Sequence, residues 1–166
     1  MKNRYYILAV LGLLFTWAVQ AQEYKINDLE YFEQTGANVL VFSNQYNGIF
    51  CDEKTAGIEI IQRGERISTG GGVRLMNTPE QWDIYAELVD RKVNREDNSI
   101  TVDFIYKAYD FAYSIKVTSA DKGVNMAVYL DKPVPAELVG KAGLNLEFFP
   151  APYFGKTYLM DGQPAI

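Results

Sequence analysis

Apolar and polar residues alternate one by one through much of the second half of the chain, most plainly in SITVDFIY, FAYSIKVT and VNMAVYLD. A period of two is that of a strand, whose successive side chains point to opposite faces, so three consecutive strands are predicted here. Ile100, Val102, Phe104 and Tyr106 share one face of the first. Phe111, Tyr113, Ile115 and Val117 share one face of the second, and Val124, Met126, Val128 and Leu130 one face of the third. The opposite faces carry Thr101, Asp103, Ser114, Lys116, Thr118 and Asn125, which predicts a sheet with one side in a core and the other wetter. The links KAYD and SADKG are too short for anything but antiparallel neighbours, giving a meander.

Upstream, VNREDNSI reads as a hairpin turning at Glu96 to Asn98, and GIEIIQRGERIST as another turning near Gly64. ANVLVFS is a strand with a continuous apolar run, and GLNLEFFP a late strand ended by Pro150. No stretch keeps an apolar period of 3.6 beyond two turns; DKPVPAELVGKAG offers at most one short helical turn after Pro135. The pattern predicts an all-β domain, an antiparallel β-sandwich of two packed sheets with roughly eight to ten strands, Ig-like or supersandwich-like.

The N-terminus departs from this pattern. Lys2 and Arg4 precede the apolar run Ile7 to Val19, and small residues follow at Val19 and Ala21, the layout of a secretory signal peptide over residues 1–21. The run of 13 residues falls short of the roughly 20 needed to cross a bilayer, so no membrane span is expected once the signal is removed. With no cysteine at the cleavage point, lipid anchoring through a thiol has no support. The exported part, 22–166, has the length of one domain and is predicted to reside outside the cytoplasm, in the periplasm, at the surface or beyond.

Charge and residue types then narrow the chemistry. After Lys2 and Arg4 leave, 14 basic residues face 21 acidic ones, a net charge of −7 that disfavours nucleic acid as a partner. Cys51 is the lone cysteine, so no disulfide forms within the chain, and it reads as a small buried apolar residue. Histidine is absent, which excludes a Ser-His-Asp triad, a histidine-ligated zinc and a histidine general base. It also disfavours the mutarotase-type epimerases, β-sandwich proteins that rely on histidine. No cofactor and no metal site are expected.

Two glycine motifs invite a phosphate reading and fail it. Gly155-Lys156-Thr157 resembles the end of a phosphate-binding loop, but the position where that loop needs its first glycine is Pro150, which has no N–H to offer. Gly70, Gly71 and Gly72 lie between strand-like segments and read as a flexible hairpin turn.

Aromatic residues make up 14% of the chain, with twelve tyrosines, a content that suits a sandwich core and a carbohydrate-contacting surface alike. Trp82 and Tyr85 in TPEQWDIYAELVD, and Tyr153 and Tyr158 in PYFGKTYLMDG, are the candidate sugar-contacting residues; packing is the competing role for each. Paired carboxylates at about 5 to 9.5 Å are what glycoside hydrolysis requires. Asp52 with Glu53, Asp90, Glu96 with Asp97, and Asp161 are available, yet none stands in a recognisable motif.

The segments NVLVFSNQYNGIF, GIEIIQRGERISTGGGVRL, TPEQWD, VDRKV, LDKPVPAELVGKAGLNLEFFP and YFGKTYLMDG, taken in order, resemble the N-terminal region of secreted bacterial enzymes of glycoside hydrolase family 9, the cellulase and endoglucanase family. The signal ending AVQAQ is similar to those of Bacteroidetes exports, which implies a Gram-negative host. The resemblance implies a front β-sandwich belonging to a longer enzyme, with the (α/α)₆ catalytic barrel beyond Ile166 and no catalytic residue within this chain. It further implies that Phe148, Phe149, Phe154 and Met160 contact the catalytic domain of the same parent chain, and that a polysaccharide or oligosaccharide is a partner. The alternative is a free-standing carbohydrate-binding or adhesion module, marked by an exposed planar row of Trp and Tyr.

Overall fold

A computed structural model of the chain describes residues 23–44, 56–76, 84–121, 123–160 and 162–165. In chain order its strands are β1 (Lys25–Ile26), β2 (Phe32–Gln34), β3 (Ala37–Val41), β4 (Ile58–Gln62), β5 (Glu65–Leu75), β6 (Glu87–Asn94), β7 (Ser99–Tyr106), β8 (Phe111–Ala120), β9 (Gly123–Tyr129), β10 (Ala142–Phe148), β11 (Tyr158–Met160) and β12 (Gln163–Ala165). Sheet one has six strands in the order β1-β2-β3-β4-β5-β10, sheet two has four in the order β6-β7-β8-β9, and β11 pairs with β12 alone. Every pairing is antiparallel. The fold is therefore the all-β sandwich that the alternation predicts.

Sheet two is the predicted meander with β6 added at its edge. Ile100, Val102, Phe104 and Tyr106 of β7 and Phe111, Tyr113, Ile115 and Val117 of β8 are all buried. They meet Phe32, Val39, Val41, Ile58, Val73 and Leu75 of sheet one. Rings join the layers: Phe42 lies 4.7 Å from Phe104, which stacks on Tyr113 at 5.3 Å. The hydroxyl of Tyr106 donates to the Val73 carbonyl at 2.8 Å, so this buried polar atom is satisfied across the core.

Side chains of sheet two also clamp the start of sheet one. Arg91 donates through Nε to the Val41 carbonyl and through its two terminal nitrogens to the Glu30 carboxylate and carbonyl. Arg95 reaches the carbonyls of Ile26 and Asn27, and Asn98 donates to the Tyr24 carbonyl while accepting from the Ile26 N–H. These contacts hold a two-residue strand that would be marginal by itself.

The predicted turns fall where expected: residues 95–98 join β6 to β7, and Arg63-Gly64 joins β4 to β5 with φ of 52° and 80°. The turn after Pro135 is a single 3₁₀ turn, Ala136–Leu138, with Leu138 driven fully into the core.

Two expectations need correction. Gly70, Gly71 and Gly72 are not a hairpin turn but lie inside β5, an unbroken strand of 11 residues. Their smallness serves close approach. A Cβ at Gly71 would stand 2.6 Å from the Cβ of Ile58, and one at Gly57 2.6 Å from the Gly71 carbonyl oxygen. The β4–β5 register shifts at this point, and only glycine lets the two backbones come so near. The alternation puts Leu130 on the core face of the third strand, but β9 ends at Tyr129 and Leu130 is exposed. Leu130, Asp131 and Lys132, the three residues preceding Pro133, leave the sheet and begin the crossover back to sheet one.

Candidate functional site

Among the described residues, the most exposed aromatic surface is built by β10 and the turn after it. This strand forms one edge of sheet one, paired with β5 through Phe148 opposite Ser68, and the Phe149 N–H continues the ladder to the Ile67 carbonyl at 3.0 Å. Pro150, lacking an N–H, stops the strand and opens a 3₁₀ turn, Ala151–Tyr153, closed by the Tyr153 N–H on the Pro150 carbonyl. The reversal brings Tyr153 against Phe148, edge to face, with ring centres 5.7 Å apart and planes at 85°. Both rings remain substantially exposed, at 51% for Phe148 and 42% for Tyr153. Phe149 is exposed at 39%, and Phe154, at the end of the turn, at 90%. Leu144, on the same strand, is exposed as well.

Tyr85, another predicted aromatic position, does not join this strip. Tyr85 lies under the Arg74 guanidinium, 4.6 Å from its ring centre, where the cation meets the negative face of the ring. It closes a crevice of about 30 Å³ among Phe42, Val73, Phe104, Tyr106 and Tyr113, which is a packing position rather than an open platform. Arg74 and Ser68, the β5 residues nearest Tyr85 and Phe148, are six positions apart, about 20 Å along a strand. Trp82 lies outside the described residues. The backbones of Tyr158 and Met160 are in β11, and their side chains lie outside the described ones. Gly155, Lys156 and Thr157 follow a 3₁₀ turn and precede a strand, so no helix N-terminus stands behind them.

The carboxylates divide by environment. Asp90 sits on the solvent face of sheet two, and Lys92 Nζ lies 3.0 Å from it and 3.1 Å from Asp103, which also accepts from the Ser114 hydroxyl at 2.6 Å. The hydrogen bond from Lys92, then that from the Arg91 N–H, holds the Asp90 carboxyl below its ordinary range. The two aspartates in turn hold the Lys92 ammonium above its ordinary value. A general acid needs the opposite shift, toward neutrality, so this group is arranged as an ion network. Glu96 and Asp97 donate their backbone N–H groups to the Asn94 side chain within the β6–β7 turn. Cys51, Asp52, Glu53 and Asp161 lie outside the described residues.

Glu59 is the acid that alternation did not single out. It sits in β4 with no exposed surface, on the face away from the core, opposite Leu40. Arg66 Nε lies 2.9 Å from one carboxylate oxygen, a charge contact across the hairpin, and the Asn44 amide donates to the other. The signal was present as a lone acid within the apolar run GIEII. Among the described residues no group of three or more acidic or thiol side chains could hold a metal ion, and no helix is long and apolar enough to cross a membrane.

Fold and surface together define an all-β sandwich with an aromatic strip exposed at one sheet edge. No protein-family model, no curated protein and no solved structure matches the chain.

Proposed function

We propose that this chain is an accessory β-sandwich module of an exported glycoside hydrolase acting on a β-glucan-type polysaccharide, itself non-catalytic, whose aromatic strip packs against the enzyme's catalytic domain. The observation that carries the reading is the exposure of Phe148, Phe149, Tyr153 and Phe154 together. Exposed apolar patches beyond a few hundred Å² are uncommon on soluble monomers and mark contact surfaces. Contacts between domains of one chain cover about 600 to 1,500 Å², an area that such a strip with Leu144 can nucleate. The export signal read in residues 1–21, the β-sandwich and the ordered resemblance to the front of family 9 enzymes support the same reading.

A free-standing carbohydrate-binding module would present its rings flat and in line, because a sugar chain offers successive planar faces. Phe148 and Tyr153 stand at 85° to each other, so both cannot lie flat against one chain. That geometry favours a protein partner over a glycan for this strip.

Sedimentation of the exported chain tests the proposal. The expected result is self-association at micromolar concentration, abolished in the Phe149→Ser, Phe154→Ser double variant with little change in melting temperature, and no retention on cellulose. A monomer whose retention on cellulose is lost in the same double variant would overturn it in favour of the binding module. Release of reducing sugar from soluble β-glucan, lost in Asp90→Asn, would overturn the non-catalytic assignment.

A further inference from the structure

Away from the aromatic strip, a groove of about 470 Å³ opens where the β2–β3 and β4–β5 turns meet the first strand. Its floor is one cross-strand rung on the outer face of sheet one: Lys25 pairs with Glu33, Glu33 with Asn38, and Asn38 with Ile61. Its rim is the two turns, fixed to each other by the Arg63 N–H on the Gly36 carbonyl at 2.8 Å. Both turns hold left-handed backbone, at Gly36, Arg63 and Gly64, so the walls are defined by turn geometry.

The lining has an unusual composition for this protein. It includes no aromatic ring, although rings abound elsewhere, and apart from Ile61, Ala37 and the turn glycines its side chains are amide, hydroxyl, carboxylate and cation. Lys25 and Arg63 face a single acid, Glu33, which already accepts from Asn27 at 3.0 Å. The groove is thus locally cationic in a chain whose formal charge is −5. Among the described residues the side chains of Lys25, Asn38 and Arg63 have no hydrogen-bond or ion-pair partner of their own. Free donors converging on a concave site of this size are the arrangement that orients a small polar ligand.

We infer that this groove binds a polyhydroxylated carboxylate, with a uronic acid residue of a glycan as the class that fits. The guanidinium of Arg63 and the ammonium of Lys25 answer the carboxylate, the former in a planar two-point contact. Asn38 and the remaining lone pairs of Glu33 answer neighbouring hydroxyls, which both donate and accept. The absence of a ring in the lining makes recognition depend on hydrogen bonds and charge, so a neutral sugar, which offers neither a charge nor a stacking partner here, is disfavoured against an acidic one. The site does not rest on the docking role of the aromatic strip: the groove spans β1 to β4, and β10 lies beyond β5, so each can be altered separately.

Isothermal titration of the exported chain with digalacturonate, cellobiose and inorganic phosphate tests the inference. Digalacturonate should bind at least tenfold tighter than either of the others and weaken as sodium chloride is raised. Arg63→Asn, which keeps a residue tolerant of positive φ, and Asn38→Ala should each weaken it at least fivefold without lowering the melting temperature, while Phe154→Ser should leave it unchanged. No heat with digalacturonate at millimolar concentration overturns the inference. Equal binding of phosphate overturns the carbohydrate class, and loss of binding in Phe154→Ser but not Arg63→Asn overturns the location.

Discussion

Glu59 shows how a single residue can be fixed by partners far from it in sequence. A carboxylate with no exposed surface is tolerated because Arg66 and the Asn44 amide take up its two oxygens. The two ends of that pair are not equivalent, since the Arg66 side chain is half exposed and can return to water while Glu59 cannot. Arg66→Met, which strands the buried charge, should therefore cost about 3 kcal/mol. Glu59→Gln keeps the shape and the Asn44 contact without the charge and should cost about 1 kcal/mol. Urea midpoints of the two variants check the order, and the reverse order would mean that Glu59 reaches solvent.

At the scale of elements, the strands were legible and their deviations were not. Strict alternation in SITVDFIY and FAYSIKVT marks which side chains enter the core, and all eight predicted core residues of β7 and β8 are buried. Register in the meander follows, because a slip by one residue would turn that whole set outward. The glycine run in β5 carried no such signal, since three glycines in a row look like a turn until the neighbouring strand is in place. Its meaning comes from the approach of β4, where Ile58 fills the space a Cβ at Gly71 would need. Gly71→Ala should accordingly destabilise by about 1–3 kcal/mol, measured by thermal or urea unfolding. Shortening Ile58 to Val in the same chain should not relieve it, because the close atom is the Cβ that Val retains.

Across the whole molecule, stability at high pH depends on one group in the core, Tyr24, and one on the solvent face of sheet two, Lys92. Tyr24 is buried beneath the clamp from Asn98, and burial raises its phenol pKa above the ordinary value, with the Gln34 hydrogen bond opposing. A raised folded-state pKa means a contribution fully present below about 10 that is lost as the pH rises through the folded value. Lys92, also raised, acts in the same direction, while Asp90, lowered, contributes until strongly acidic pH. Melting temperature should therefore be flat through neutrality and fall at alkaline pH. Tyr24→Phe should reduce the steepness of that alkaline fall, and an identical profile in the variant would place the sensitive group elsewhere.

Composition and period by themselves determined the class of fold, the meander, the two hairpin turns and the exclusion of histidine chemistry, because each depends on neighbours within about ten residues. The aromatic segment after Gly143 was legible as a cluster and as a candidate contact surface. The resemblance also led to the expectation that part of it stands exposed, as Phe148, Phe149, Tyr153 and Phe154 do; its place at a sheet edge was not legible, because only the pairing of β10 with β5 decides that. Tyr85 reads the same in sequence as Tyr153, yet one closes a core crevice under Arg74 and the other stands out beside Phe148. The polar groove had no sequence signal at all. Lys25, Asn38 and Arg63 meet only once four strands are paired and two turns are tied together, which is a matter of tertiary register rather than local pattern.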